Sequence, residues 1–361
     1  MLKKRHPTRI LRLGSLAIGG EHPVMVQSMT NTDTRDVDAT LAQIERLKAA
    51  GCEAVRLAVP DAEAVRAVRA IAGQISLPLI ADIHFDHRLA IASLEAGVHG
   101  LRINPGNIGG PKKVCAVIDA AKSANAVIRI GVNSGSLEKK LLVRHGGPTP
   151  RAMVESAMGQ VRFFEEHTFS NIKISIKSSS VLDTIAAYRL LAGRCDYPLH
   201  IGITEAGTLA RGTAKSAVGL GILLWEGIGD TLRVSLTGDP VQELVVAWEL
   251  LRSLGLRERG PDIIACPTCG RTEIDLPPLV NAVEARLANE TARIKVAVMG
   301  CVVNGPGEAR EADIGLAGGR DKGSIFRKGE IIRSVRGQEA LLAAFMEELE
   351  KVLESSPASQ T

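Results

Sequence analysis

Aromatic residues are scarce in this chain: Phe, Tyr and Trp together make up 3% of its 361 residues. Surfaces that hold nucleic acid combine basic stripes with stacking rings, and so few rings with a net charge of only +4 do not supply them. Long apolar runs are missing too. The basic start Met1-Leu-Lys-Lys-Arg-His is followed by Arg9 and Arg12, and no apolar segment reaches signal-peptide or membrane-span length. The expectation is a cytoplasmic protein whose 6 cysteines stay reduced. Histidine, the common companion of cysteine in structural zinc sites, does not occur after His200.

What is present is an ordinary globular composition, 45% hydrophobic and 23% charged, in a chain longer than the roughly 250–300 residues at which single cores stop growing. Two domains are expected, residues 1–255 and 262–361, joined by the linker Gly255–Asp262. Cys52, Cys115 and Cys195 are scattered through the first and read as packing residues.

The other three cysteines belong to one pattern. Cys266-Pro-Thr-Cys269-Gly270 places two sulfurs on one turn. The apolar run Ile294–Gly300 reads as a buried strand that delivers Cys301 onto the loop Asn304-Gly-Pro-Gly307. Three thiolates leave a fourth position for water, a substrate atom or a harder ligand such as Glu308. This incompleteness favours a catalytic [4Fe-4S] cluster over a closed zinc site or a redox dithiol.

The first 250 residues alternate β-rich runs with amphipathic helices. The predicted strands are Val24–Met29, Glu53–Val59, Leu79–His84, His99–Asn104, Val127–Asn133, Asn171–Lys177, Leu199–Thr204 and Thr231–Thr237. Strands each followed by a helix predict an α/β fold, an N-terminal (β/α)8 TIM barrel followed by a smaller α/β iron–sulfur domain. A weak repeat agrees: Ala50-Gly51 precedes Arg56 as Ala96-Gly97 precedes Arg102.

Strand alternation then says which side chains face inward. In Val55-Arg56-Leu57, Leu101-Arg102-Ile103, Ile128-Arg129-Ile130, Ile172-Lys173-Ile174, Ile176-Lys177 and Leu232-Arg233-Val234, the apolar neighbours belong against the helices, so the cations point into the barrel. The same parity puts Asp82, His84, Asn104, Asn133, His200 and Thr204 inside. Asp82 is the one acid among these strand positions, with Glu205 just beyond the seventh strand. Unpaired buried charges cost several kcal/mol each, so such a surplus predicts a pocket for an anion, with Lys173 the cation best suited to pair locally. Arginine forks suit phosphate oxygens. The turns Asn104–Gly110 and Gly131–Ser136 fall at the C-terminal strand ends, where barrels carry their active sites. The stretch Leu137–Arg151 is longer than a connection requires and is either a lid or a disordered surface loop.

Together, Ala81-Asp82-Ile83-His84-Phe85, Arg102-Ile-Asn-Pro-Gly-Asn-Ile-Gly109, Arg129-Ile-Gly-Val-Asn-Ser-Gly-Ser136, Gly202-Ile-Thr-Glu-Ala-Gly207, Cys266-Pro-Thr-Cys-Gly270 and Met299-Gly-Cys-Val-Val-Asn-Gly-Pro-Gly-Glu308 resemble the bacterial 4-hydroxy-3-methylbut-2-en-1-yl diphosphate synthases of the non-mevalonate isoprenoid pathway, two-domain form. The likeness runs from about residue 10 to residue 335. It implies an oxidoreductase that opens 2-C-methyl-D-erythritol 2,4-cyclodiphosphate reductively, with loss of a hydroxyl as water. It implies a [4Fe-4S] cluster on Cys266, Cys269, Cys301 and Glu308, with electrons from flavodoxin or ferredoxin. It also implies a diphosphate held by Arg56, His84, Arg102, Arg129, Asn133, Lys177 and Arg233, and agrees with Glu205 as proton donor at the mouth. The rival readings are a non-redox barrel lyase or transferase on a phosphorylated compound with a structural zinc domain, and an iron–sulfur regulator without turnover.

Chain geometry adds an expectation about assembly. A helix Val241–Leu254, roughly 20 Å long, ends at the face opposite the barrel mouth, and the linker can span at most about 28 Å. A homodimer in which each cluster domain caps its partner's barrel avoids that climb.

Overall fold

The computed structural model describes residues 2–301, 307 and 310–356. The chain divides into two compact units, Met1–Arg257 and Glu258–Thr361.

In the first unit, parallel strands Met25–Met29, Ala54–Ala58, Leu79–Asp82, Gly100–Ile103, Val127–Asn133 and Ile172–Lys177 pair in sequence, and Thr231–Leu232 pairs with both Met25–Met29 and His200–Ile201. A parallel bridge from Ile174 to Leu199 joins the sixth strand to the seventh and closes the ring. The barrel is therefore the predicted one. Its seventh and eighth strands, His200–Ile201 and Thr231–Leu232, are shorter than expected, and the chain after the seventh turns through positive φ at Glu205 and Gly207 (53° and 106°).

Helices cover the outside. Their starts are fixed by short acceptors: Asp36, Asp61, Asp86, Thr149, Ser180 and Asp239 each cap the backbone of the helix that follows. Gly51 and Gly97, the paired glycines of the repeat, sit at φ 91° and 100°, the left-handed exit that lets a helix turn back into a strand. Residues 137–151, expected as a lid or a disordered loop, contain the helix Lys139–His145; it buries Leu141 and places His145 Nε2 2.8 Å from Glu155.

One element of this unit escaped the sequence reading. Leu11–Leu13 and Leu16–Ile18 form an antiparallel hairpin turning at Gly14 (φ 59°). Its Leu11, Leu13 and Ile18 pack on Met25, Ala54, Ile80 and Val127, which start the barrel strands, so the hairpin plugs the N-terminal end of the barrel. Three-residue strands carry too little alternation to be recognised by pattern.

The second unit is a sheet ordered Asp262–Ala265, Lys295–Met299, Ile314–Ala317, Lys322–Arg327 and Glu330–Arg336, parallel across the first three and antiparallel after that. Helices Leu276–Leu287 and Gln338–Ser355 enclose a core that includes Leu279, Val283, Val298, Ile325, Phe345 and Leu349. The strand Lys322–Arg327 was not anticipated: its Gly323 dilutes the pattern, and it is fixed instead by the tight turn at Lys328 (φ 49°) and Gly329 (φ 84°).

Candidate active site

The inward cations converge as strand parity requires. Arg102 and Arg129 are directly paired across adjacent strands, as are Arg129 and Lys173, and Asn133 and Lys177 lie opposite each other two pleat repeats further along. Asp82 stands among them, with Oδ1 3.2 Å from Arg102 Nη1 and Oδ2 3.8 Å from Arg56 Nε. His84 Nε2 is 3.6 Å from the same carboxylate, while more than half of the His84 side chain stays exposed. Arg56, Asp82, Arg129, Lys173, Lys177 and His200 are all buried.

Glu243 corrects the charge count made from the strands alone. It lies on the helix Pro240–Ser253 and accepts from Arg233 Nη2 at 3.0 Å and Nε at 3.2 Å, and from the backbone N–H of Leu236 at 3.0 Å. Strand parity could not show it because the acid comes from the helix layer. A signal did exist: Glu243 shares the buried face of that helix with Pro240, Leu244 and Ala247. Met29 was missed as well. Its Sδ accepts from Arg56 Nε at 3.1 Å and Nη2 at 2.9 Å, a weak acceptor that carries no countercharge.

With Asp82 and Glu243 set against Arg56, Arg102, Arg129, Lys173, Lys177 and Arg233, and buried Asp230 taken by Arg5 and Thr8, the interior keeps a positive surplus among the described residues. The expectation that Lys173 pairs locally fails. Its Nζ has no hydrogen-bond partner among the described residues, and neither do Nε and Nη1 of Arg129.

The titration behaviour follows from this crowding. Burial, then repulsion from Arg129 and Arg56, pushes the Lys173 ammonium down to about 7. Lys177 and Arg129 are also depressed well below their ordinary values, by burial first and the neighbouring guanidiniums next. Arg56 is pushed down to about 10 by burial, with Asp82 opposing the shift. Burial alone would raise the Asp82 carboxyl, but His84, Arg56, Arg102 and Arg129 outweigh it and hold it well below the carboxylate range. Groups so arranged lack negative charge, which an anionic ligand would supply.

Glycine shapes the walls. A Cβ at Gly202 would come within 2.8 Å of the Arg233 carbonyl, so glycine is what lets the backbone approach there, and 3.2 Å from Lys177 Nζ. At the C-terminal strand ends, Asn104 Oδ1 accepts from Gly106 N–H and its Nδ2 donates to Ser136 at 3.2 Å, which ties the two glycine-bearing turns together. Asn133 is half-buried beside them. Glu205 is exposed just beyond the seventh strand with a left-handed backbone, a conformation that persists in a non-glycine residue only when its surroundings impose it.

The cysteines occupy the second unit. Ala265 is paired with Val298 on parallel strands, so Cys266 and Cys301 leave the sheet at the same end, and Cys266 Sγ accepts a hydrogen bond from Gly300 N–H at 3.1 Å. Cys301 is buried, Cys266 half-buried and Cys269 exposed. The backbone N–H of Arg271, reinforced by its guanidinium, lowers the Cys269 thiol below its ordinary value. Backbone N–H groups aimed at sulfur favour thiolates, the form that ligates iron, so this donor set fits a cluster. Glu308 lies outside the described residues. In the first unit, Cys52 is buried and donates to the Ala54 carbonyl at 3.1 Å, while Cys115 and Cys195 are half-buried.

Residues 8–248 match the GcpE TIM-barrel domain family and residues 262–351 the GcpE protein C-terminal domain family. Relatives named 4-hydroxy-3-methylbut-2-en-1-yl diphosphate synthase (flavodoxin) include that of Lawsonia intracellularis, 67% identical over 97% of each chain. That of Nitratidesulfovibrio vulgaris is 67% identical over 98% of this chain and 92% of its own, and that of Geobacter sulfurreducens 60% identical over 96% and 98%.

Proposed function

The chain belongs to the 4-hydroxy-3-methylbut-2-en-1-yl diphosphate synthase family, and from this premise we infer how its residues divide the work of opening 2-C-methyl-D-erythritol 2,4-cyclodiphosphate reductively. The observation that carries the reading is the surplus of buried cation over carboxylate inside the barrel. Arg56, Arg102, Arg129, Lys177 and Arg233 hold the diphosphate, with His84, Asn104 and Asn133 at its rim. Asp82 orients the guanidiniums of Arg56 and Arg102. When the ring opens, the bond from carbon to a diphosphate oxygen breaks and negative charge grows on that oxygen. Fixed cations in a dry interior stabilise it without reorganisation. Glu205 gives its proton to the departing hydroxyl, which leaves as water.

Cys266, Cys269 and Cys301, with Glu308 as the exchangeable fourth ligand, are the residues that would hold a [4Fe-4S] cluster. When bound, such a cluster supplies electrons singly and a Lewis-acidic iron. The electrons come from flavodoxin, the donor that the relatives' names carry, or from ferredoxin in its place. The non-redox alternative has no observation in its favour.

We also infer a homodimer with shared sites. Arg257 donates to Glu53 and to the Val24 carbonyl, and Trp248 Nε1 to the Gly51 carbonyl, so the last helix of the barrel unit is fastened beside the starts of the first two strands, away from the mouth. Residues 258–261 join this unit to the strand that begins at Asp262. A second copy supplies the mouth that this chain's cysteines serve. The test is to reassociate Cys266→Ala with Glu205→Gln, each inactive alone. Activity on the cyclic diphosphate returns in the heterodimer if sites are shared. A heterodimer that forms and stays inactive refutes the sharing.

A further inference from the structure

Beside the diphosphate cage lie further unsatisfied buried groups, of which Arg129 alone also belongs to the cage. Lys173 Nζ, Arg129 Nε and Nη1, His200 Nε2, and both side-chain ends of Gln27 are buried without a hydrogen-bond partner. Their exposures are 1%, 2%, 0% and 2%. They follow one another around the barrel wall. Arg129 is paired with Lys173 on the next strand, the bridge from Ile174 to Leu199 brings His200 beside that strand, Thr231 links His200 to the eighth, and Gln27 follows on the first. His200 Nδ1 is engaged by Thr231 Oγ1 at 2.7 Å, which turns Nε2 inward. Burial lowers the His200 imidazole well below its ordinary value, and Arg129, Lys173 and Lys177 lower it further, so these groups share one electrostatic space. Below them the Leu11, Leu13 and Ile18 plug seals the barrel.

Water alone is a poor occupant. Each water must donate as well as accept, yet the obligate acceptor left free in this ring is Gln27 Oε1, while Arg129 and the charged form of Lys173 can only donate. Asp82 is already engaged by Arg102, Arg56 and His84, and Asp230 by Arg5, Thr8 and the Leu199 N–H. A small anion accepts from every side and supplies the missing charge.

We propose that the floor of the barrel is a distinct binding site for a small monovalent inorganic anion of the halide class, held by Lys173, Arg129, His200 and Gln27 beneath the substrate. Its role is to keep Lys173 and Arg129 charged and the cage rigid before substrate arrives. The inference stands apart from the identity of the substrate, because Lys173, His200 and Gln27 are not among the groups assigned to the diphosphate and Arg129 is shared between the two.

Bromide is the probe. The full-length protein is crystallised from sodium bromide with its cage filled by inorganic pyrophosphate, and anomalous scattering is recorded at the bromine edge. The expected result is a peak within hydrogen-bond distance of Lys173 Nζ and Arg129, present together with pyrophosphate and lost in Lys173→Met. In solution, bromide at fixed ionic strength against gluconate raises the melting temperature of the pyrophosphate-bound protein to a plateau, and Lys173→Met loses that rise. Three results overturn the proposal: water alone at the floor, a bromide that pyrophosphate displaces, or pyrophosphate oxygens that themselves reach Lys173. Should Lys173→Met not fold, Gln27→Leu is read in its place, and the wild-type crystal decides by itself.

Discussion

Asp82 Oδ1 accepts from Arg102 Nη1 at 3.2 Å, and this one carboxylate also lies within ion-pair reach of Arg56. It is the restraint that lets several guanidiniums share the barrel before any ligand enters. Asp82→Asn leaves those cations without it, so the ligand-free protein loses on the order of 3–5 kcal/mol, the range for breaking a buried pair. Saturating pyrophosphate restores part of the loss. Denaturant titrations with and without pyrophosphate measure both quantities, and equal loss in the two conditions would show that Asp82 does not balance an anion-binding cage.

Binding and proton delivery separate by residue. Lys177→Ala removes one cation from the cage and weakens cyclic diphosphate binding by about 1.5–3 kcal/mol, the range for charge-assisted hydrogen bonds. Glu205→Gln keeps the shape but not the proton: kcat falls while calorimetry returns nearly the wild-type affinity. An unchanged kcat removes Glu205 from the chemistry.

Lys173 sets a pH signature. Its folded pKa of about 7 lies below the ordinary 10.5, so the unfolded chain binds the extra proton between those limits. In halide-free buffer the resulting penalty, on the order of 4 kcal/mol at neutral pH, is fully present below pH 7 and fades as pH rises toward 10.5. Arg129, Arg56, Lys177 and His200 face the same space and contribute their own slopes, so the comparison is a difference. Lys173→Met is more stable than wild type at pH 7, and the gap narrows toward pH 10. A gap that does not change with pH contradicts the buried, uncompensated lysine.

The barrel was legible in the sequence because both of its signals are strong. Apolar residues flank a single cation on strand after strand, and glycine follows each helix of the repeat at positions such as Gly51 and Gly97. The cation cage followed from the same alternation. What alternation could not reach was supplied by other elements: Glu243 from the helix layer, and the Leu11–Leu13 hairpin from a stretch too short to show a period. The unpartnered state of Lys173 was also hidden, since parity places a side chain inside a barrel but does not say what it meets there. In the second unit, the convergence of Cys266 and Cys301 at one sheet end depends on the pairing of Ala265 with Val298, a register that the spacing of the cysteines suggests without specifying.

The most direct test of the central claim is anaerobic turnover. Iron–sulfur-reconstituted protein, reduced flavodoxin and 2-C-methyl-D-erythritol 2,4-cyclodiphosphate are combined, and the product is identified by phosphorus and carbon NMR. The account predicts 4-hydroxy-3-methylbut-2-enyl diphosphate from the wild type and unreacted cyclic diphosphate from Cys301→Ser. Unreacted substrate from fully reconstituted wild type, or equal product from Cys301→Ser, would contradict it.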